Sequence, residues 1–358
     1  MSMRITSLPL PSFQPLRPAC FRAARIFAPV LALGMFLPGI SVRAESPDSP
    51  SIDQSLGPNA PAYHALMDGR VEDAATMLRS TLAANPADAD AHQLLCRVFL
   101  AQNEADNAIH QCELAASSKA TDNIQASDDQ LWLGRAYGMK ARHAGPIGGF
   151  SLARKVQKSF ARAVELNPAN VDAMSDLGEY YVDAPSIVGG GDDKAQALAA
   201  HMMLRFPAAA HHLLARLATA NNDLPTAEAE FKRAVAVQNS ADAWIDLALF
   251  YQTHARPDDA LAAIKSGLAA DRSHGPVLVD AATVLTAAHR APDLAERCLR
   301  DYLASHAKSD AAPAFKVHLQ LSRLLAARGD SQDANRELEA VAALAPAFAH
   351  SAKPAQSL

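Results

Sequence analysis

Aromatic residues are scarce in this 358-residue chain, at 6%, and cysteine is scarcer, with four copies. Four cysteines cannot build the dense framework of a small disulfide-held scaffold, and so few rings leave a core to be filled by aliphatic side chains and alanine. No basic run exceeds two residues, and 33 Lys and Arg stand against 38 Asp and Glu. Phosphate binding needs clustered cations, so no nucleic-acid surface is expected. His-Glu-x-x-His, Gly-x-Ser-x-Gly and Cys-x-x-Cys are all missing, and the 13 histidines are scattered. His211 and His212 point to different faces of any helix, because neighbours diverge by about 100°. The expectation is therefore no catalytic residue, no cofactor and no metal. What remains is a chain that is 49% hydrophobic, enough to bury a large core.

Residues 1–44 differ from the rest: Arg4, Arg17, Arg22, Arg25 and Arg43 occur with no lysine and no acid. The apolar run from Ile26 to Ile40 falls short of the roughly 20 residues that cross a bilayer. Val42-Arg43-Ala44 suits a signal-peptidase site, so 1–44 is expected to be a signal peptide cut after Ala44. The alternative is an uncleaved anchor. Cleavage leaves 28 basic residues against 38 acidic ones, a net charge of −10 and no stable membrane span. The chain is expected in the periplasm or outside the cell. Residues 45–59 have a Pro/Ser/Asp linker composition, 60–348 form the structured body, and 349–358 read as a disordered tail.

The body repeats. From Ala241 to His274, Trp244, Leu247, Ala248 and Tyr251 are followed by Ala260, Ile264, Gly267 and Arg272. Steps of three and four keep large side chains on one helical stripe, and the small residues let two antiparallel helices approach. This resembles the 34-residue tetratricopeptide repeat, in an exported bacterial type of protein. The same frame fits units starting near Ser55, Ala89, Ser127, Val171, Ala208, Ala241, Gly275 and Phe315. Leu133, Gly134 and Tyr137 mark the third unit, and Leu177, Gly178 and Tyr181 the fourth. The resemblance implies an all-α, right-handed solenoid of about eight helix-turn-helix units. Two Gly-rich insertions interrupt the frame, at 142–150 and 184–193. Both read as turns that tuck Ile147, Phe150, Ile187 and Val188 onto the solenoid, with a contact ridge as the alternative.

The repeat frame places Cys96 and Cys112 on facing slots of one unit. They are set to form a disulfide in an oxidising compartment, or else fill small-residue positions as free thiols; Cys298 reads as core. Trp132, Trp244, Phe160 and Phe231 are expected to be packing residues. The family's concave slots fall on Gln93, Arg97, Leu131, Arg135, Ser175, Glu179, His212, Arg216, Ile245, Gln252, Leu319 and Arg323. Of these, Arg97, Arg135, Glu179, His212, Arg216, Gln252 and Arg323 are the candidate partner-binding residues. Four arginines share one slot, and a row of them either grips an acidic partner or pairs with acids such as Asp90, Asp128 or Glu179. The resemblance implies a non-enzymatic scaffold that holds a protein or peptide in its groove. The alternative is an envelope enzyme or small-molecule binder whose site lies between the insertions and the groove, with Asp192, Asp193 and Lys194 as its polar groups.

Overall fold

The computed structural model describes residues 57–118, 120 and 122–352. The expected signal peptide, most of the expected linker and residues 353–358 of the expected tail lie outside them. Among the described residues there are seventeen α-helices and no strand. The helices fall into eight antiparallel pairs, repeats 1 to 8. They are α1 Ala60–Met67 with α2 Val71–Ala84, α3 Ala89–Ala101 with α4 Ala105–Ser117, and α5 Asn123–His143 with α6 Pro146–Leu166. Next come α7 Val171–Asp183 with α8 Asp192–Met202, α9 Pro207–Ala220 with α10 Leu224–Gln238, and α11 Ala241–Thr253 with α12 Pro257–Ala270. The series ends with α13 Val277–Ala287 and α14 Pro292–Ala304, then α15 Ala314–Ala327 and α16 Ser331–Leu344. A short α17, Pro346–Ala352, carries helix past the boundary expected at 348.

Local chemistry sets these boundaries. Asp88, Asp122, Asn170, Asp223 and Ser240 cap helix starts, each side chain accepting a backbone N–H from the first turn. Proline opens α6, α12 and α14, where its missing N–H costs nothing. Between the two helices of repeats 1, 2, 5 and 8 the chain turns through one left-handed residue, and Gly69, Asn103, Asn222 and Gly329 meet that need at φ from 59° to 88°.

Packing rests on a small residue at the fourth position of the second helix. Ala74, Ala108, Ala195, Ala227, Ala260 and Ala295 are fully buried there, and Ala334 nearly so. A methyl group at the crossing lets the paired backbones close up. Larger side chains interlock around it, including Leu78, Ile264, Leu299 and Tyr302. Histidines bridge the two helices of repeats 2, 5 and 8: His92 to Gln111 at 2.7 Å, His211 to Glu230 at 2.7 Å and His318 to Glu337 at 2.6 Å.

The first insertion is not a loop. It lengthens α5 and α6 to 21 residues each, because residues 139–143 and 151–158 are mostly good helix formers and Pro146 restarts the helix after Gly145. The second is a turn of 3-10 helix, Ser186–Val188, closed by Gly189 at φ 103° and Gly191 at φ 144°. Val188 is buried, but Phe150 and Ile187 are exposed, so these two are not tucked in as the sequence suggested. A third irregular stretch, 305–313, joins α14 to α15.

The last repeat packs on the first. Phe315, Val341, Ala345 and Phe348 share one core cluster with Ala62, Tyr63 and Leu66. Phe315 meets Phe348 edge-on at 4.9 Å, and the Glu72 carboxylate accepts the Ala347 N–H at 3.1 Å. Within repeat 2, a disulfide joins Cys96 on α3 to Cys112 on α4, 16 residues apart, whereas Cys298 is a buried free thiol.

Two stability predictions follow from these contacts. Reducing the disulfide releases a loop of that size, so dithiothreitol should lower the urea-unfolding free energy by about 3 kcal/mol. Gly134→Ala places a methyl within 2.5 Å of the Phe160 ring and should cost about 1–3 kcal/mol by the same measurement.

Candidate functional site

Side-chain bonds that run from one first helix to the next mark the face these helices share. Gln93 donates to Asp129 at 2.9 Å, Asn170 to Asp128 at 2.9 Å and Gln320 to Thr283 at 2.9 Å. Arg135 pairs with Asp176 at 2.7 Å, Arg216 with Asp183 at 3.3 Å, and His212 lies 3.5 Å from Asp246. This inner face carries most of the candidate residues, and its two ends differ in charge.

Repeats 1 to 3 present stacked rings and guanidinium groups. Arg97 sits 4.9 Å from the Tyr63 ring centre and 4.6 Å from that of Trp132, and Arg135 lies 4.7 Å from Trp132. Trp132 packs against the core, as expected, and also forms a platform between two cations on the inner face. The register of this turn is one residue later than the family slots suggest: Leu131 and Ile245 are buried core residues, and Trp132 and Asp246 are their inward neighbours. Arg97 Nε donates to Asp310 at 2.7 Å. Burial works against both charges, yet each overrides it for the other: the Arg97 pKa is held above its usual value and that of Asp310 below.

The first helices of repeats 4, 6 and 7 are acidic, whereas that of repeat 5 carries His211, His212 and Arg216. Burial raises Glu179, against the pull of His212 and Arg216, and lowers His212. Burial, reinforced by Asp242, pushes Asp246 up to about 8. Asp280 rises to about 7 through burial and then the charges of Asp242 and Asp246, and burial brings Asp242 to about 6. Among the described residues no Lys or Arg pairs directly with Asp242, Asp246 or Asp280. Gln252 is half-buried on α11, and Arg323 is exposed on α15 with no ion pair there. The structure therefore joins Arg97, Arg135 and Arg216 to the chain's own Asp310, Asp176 and Asp183, none of them the acids suggested by sequence.

The two insertions meet through Arg154, whose Nη2 donates to the Ile187 carbonyl at 3.5 Å, while their polar groups are taken up by local bonds. Asp192 accepts from Asn221 at 3.0 Å, and Lys194 donates to the Gly189 carbonyl at 2.8 Å. Arg154 stacks on Phe150 at 5.0 Å. A shallow recess of about 390 Å³ lies on the other side of the helices, lined by Trp244, Leu247, Tyr251, Val235 and Ala263. Among the described residues no group of three or more His, Cys, Asp or Glu is placed to hold a metal, and no helix is long and apolar enough to cross a membrane.

The acidic cluster carries a signed pH dependence. An unfolded aspartate ionises near 3.9, whereas Asp246 keeps its proton up to about 8. Between those values the folded chain binds more protons than the unfolded one, so this contribution favours folding at the acid end and fades as pH rises. Asp246→Asn should therefore gain Tm relative to the parent between pH 5 and pH 8. A difference that stays flat across that range rules the assignment out.

The tetratricopeptide-repeat family model matches residues 65–127, which run from the end of α1 through α2 and repeat 2 into α5. No curated protein matches the chain in sequence. Among solved structures, a thermophilic tetratricopeptide-repeat protein of Thermus thermophilus aligns at 20% identity and a TM-score of 0.41, covering 64% of this chain and 99% of its own. A tetratricopeptide-repeat protein from Parabacteroides merdae aligns at 14% identity and 0.43, covering 71% and 93%. The C-terminal part of a repeat-containing protein from Cytophaga hutchinsonii aligns at 13% and 0.39, covering 80% and 95%. Residues 65–127 thus match the tetratricopeptide-repeat family, and helix pairs of the same arrangement follow them as far as Leu344.

Proposed function

We propose that the protein is a non-enzymatic interaction scaffold whose inner face takes a polypeptide segment of a partner, and that the part of the partner lying over repeats 5 to 7 is basic. One observation carries this reading: Asp242, Asp246 and Asp280 crowd together with raised pKa values and without a Lys or Arg partner. A protein that keeps three carboxyls in this state gains free energy when a cation arrives, since ionisation then ceases to be penalised. Arg216, whose charge reaches Asp246, is committed to Asp183, and its Nε makes no hydrogen bond among the described residues. That donor suits a backbone carbonyl of the same segment. An acidic partner, by contrast, finds Arg97 and Arg135 already neutralised. We also infer export: the arginine-only start, the apolar run before Ala44 and the Cys96–Cys112 disulfide support it.

A fluorescent 12-residue Lys/Ala peptide is expected to bind the purified protein, more weakly as salt rises from 50 to 300 mM, while a matched Glu/Ala peptide does not. Asp242→Asn combined with Asp280→Asn should weaken the Lys/Ala peptide about tenfold in anisotropy titrations. Equal binding of both peptides, or no effect of the double substitution, refutes the reading.

A further inference from the structure

The inner face of repeats 2 and 3 is touched from the far end of the chain. Arg97 belongs to repeat 2 and Asp310 to the stretch before repeat 8, 213 residues later, yet they form a partly buried ion pair. That stretch is held rigidly. Tyr302 Oη donates to the Ala312 carbonyl at 2.7 Å and accepts the Ser309 N–H at 2.9 Å. Alongside it, Lys308 lies 3.9 Å from Asp68. Gly69 presses against the Phe315 backbone so closely that a Cβ there would stand 2.6 Å from the Phe315 nitrogen. Further along, Arg142 at the end of α5 lies close enough to Lys316 on α15 to help burial bring the Lys316 pKa down to about 8. Side chains from opposite ends of the array thus meet across the inner face.

A polypeptide strand needs roughly 10 Å of clear width, about the spacing of two packed sheets. Walls whose charged tips pair at 2.7 Å leave no such width at repeats 2 and 3. We propose that the contact between repeats 8 and 1 is a latch, caught by Arg97 and Asp310, that must open before a partner segment can lie along the inner face. This rests on the groove reading above and assigns its regulation. Three polar contacts hold the latch at its rim, Arg97 to Asp310, Lys308 to Asp68 and Ala347 N–H to Glu72, and behind them Phe315 and Phe348 share an apolar core with Tyr63 and Leu66 of repeat 1. Opening separates ends joined mainly through one seam and leaves the helix pairs of repeats 2 to 7 intact, because each repeat is stabilised chiefly by its neighbours. The catch uses none of Asp242, Asp246 and Asp280, although Tyr302, which holds its stretch, feels the charges of both Asp310 and Asp280.

The test compares the parent with Asp310→Ala, Gly69→Ala and the charge-swapped double Arg97→Asp/Asp310→Arg. Circular dichroism checks that each is folded, small-angle scattering gives the radius of gyration, and stopped-flow mixing gives the association rate of the Lys/Ala peptide. The expected result is a larger radius and about tenfold faster association for Asp310→Ala and Gly69→Ala, with the double variant returning towards the parent in both. Identical radii across folded variants overturn the latch, as does an unchanged association rate in variants that have opened. If opened variants show a larger radius but no peptide binds to any of them, the latch stands and the groove reading falls.

Discussion

Close approach of two helices at a methyl group underlies this molecule. In seven of the eight repeats the fourth residue of the second helix is a buried alanine, and in repeat 3 the close approach falls instead at Gly134 against Phe160. A larger side chain there forces the paired axes apart, and the error passes to the next repeat because each pair is the packing surface for its neighbour. Everything described above depends on that spacing: the line of inner side chains, the His bridges within repeats and the meeting of the last repeat with the first.

The inner face illustrates how charge is arranged when burial competes with pairing. At repeats 1 to 3, arginines are stacked on rings and neutralised by carboxylates, so their charges are retained despite burial. At repeats 5 to 7, three carboxyls lack such partners and burial wins, holding their pKa values near or above neutrality. One surface therefore has a satisfied end and an unsatisfied end. The functional reading follows from this contrast and not from the excess of acid over base in the chain as a whole.

Much of the architecture was legible in the sequence because it is local. Seven of the eight expected unit starts lie within four residues of the start of an observed first helix, and three of them, Ala89, Val171 and Ala241, coincide with one, since a 34-residue period survives degeneracy in any single position. The site was less legible for two physical reasons. One residue of register turns a helix by about 100°, which exchanged Leu131 for Trp132 and Ile245 for Asp246 on the inner face. Asp310 was missed because its partner Arg97 is 213 residues away and no periodicity links them. The only local sign was the stretch 305–313, longer than the usual turn and rich in small polar residues, in a unit whose repeat signal was weak. Helix-forming residues on both sides of Gly145 could have shown that the first insertion extends α5 and α6.

Open repeat arrays commonly gain or lose units over evolution, because a terminal cap can be moved and the neighbours only shift along. The Phe315–Phe348 seam removes that freedom here. Inserting or deleting one internal unit would rotate and translate the final pair away from Tyr63 and Gly69, exposing two apolar surfaces at once and separating Arg97 from Asp310. Copy number is thus tied to the contact between the last repeat and the first.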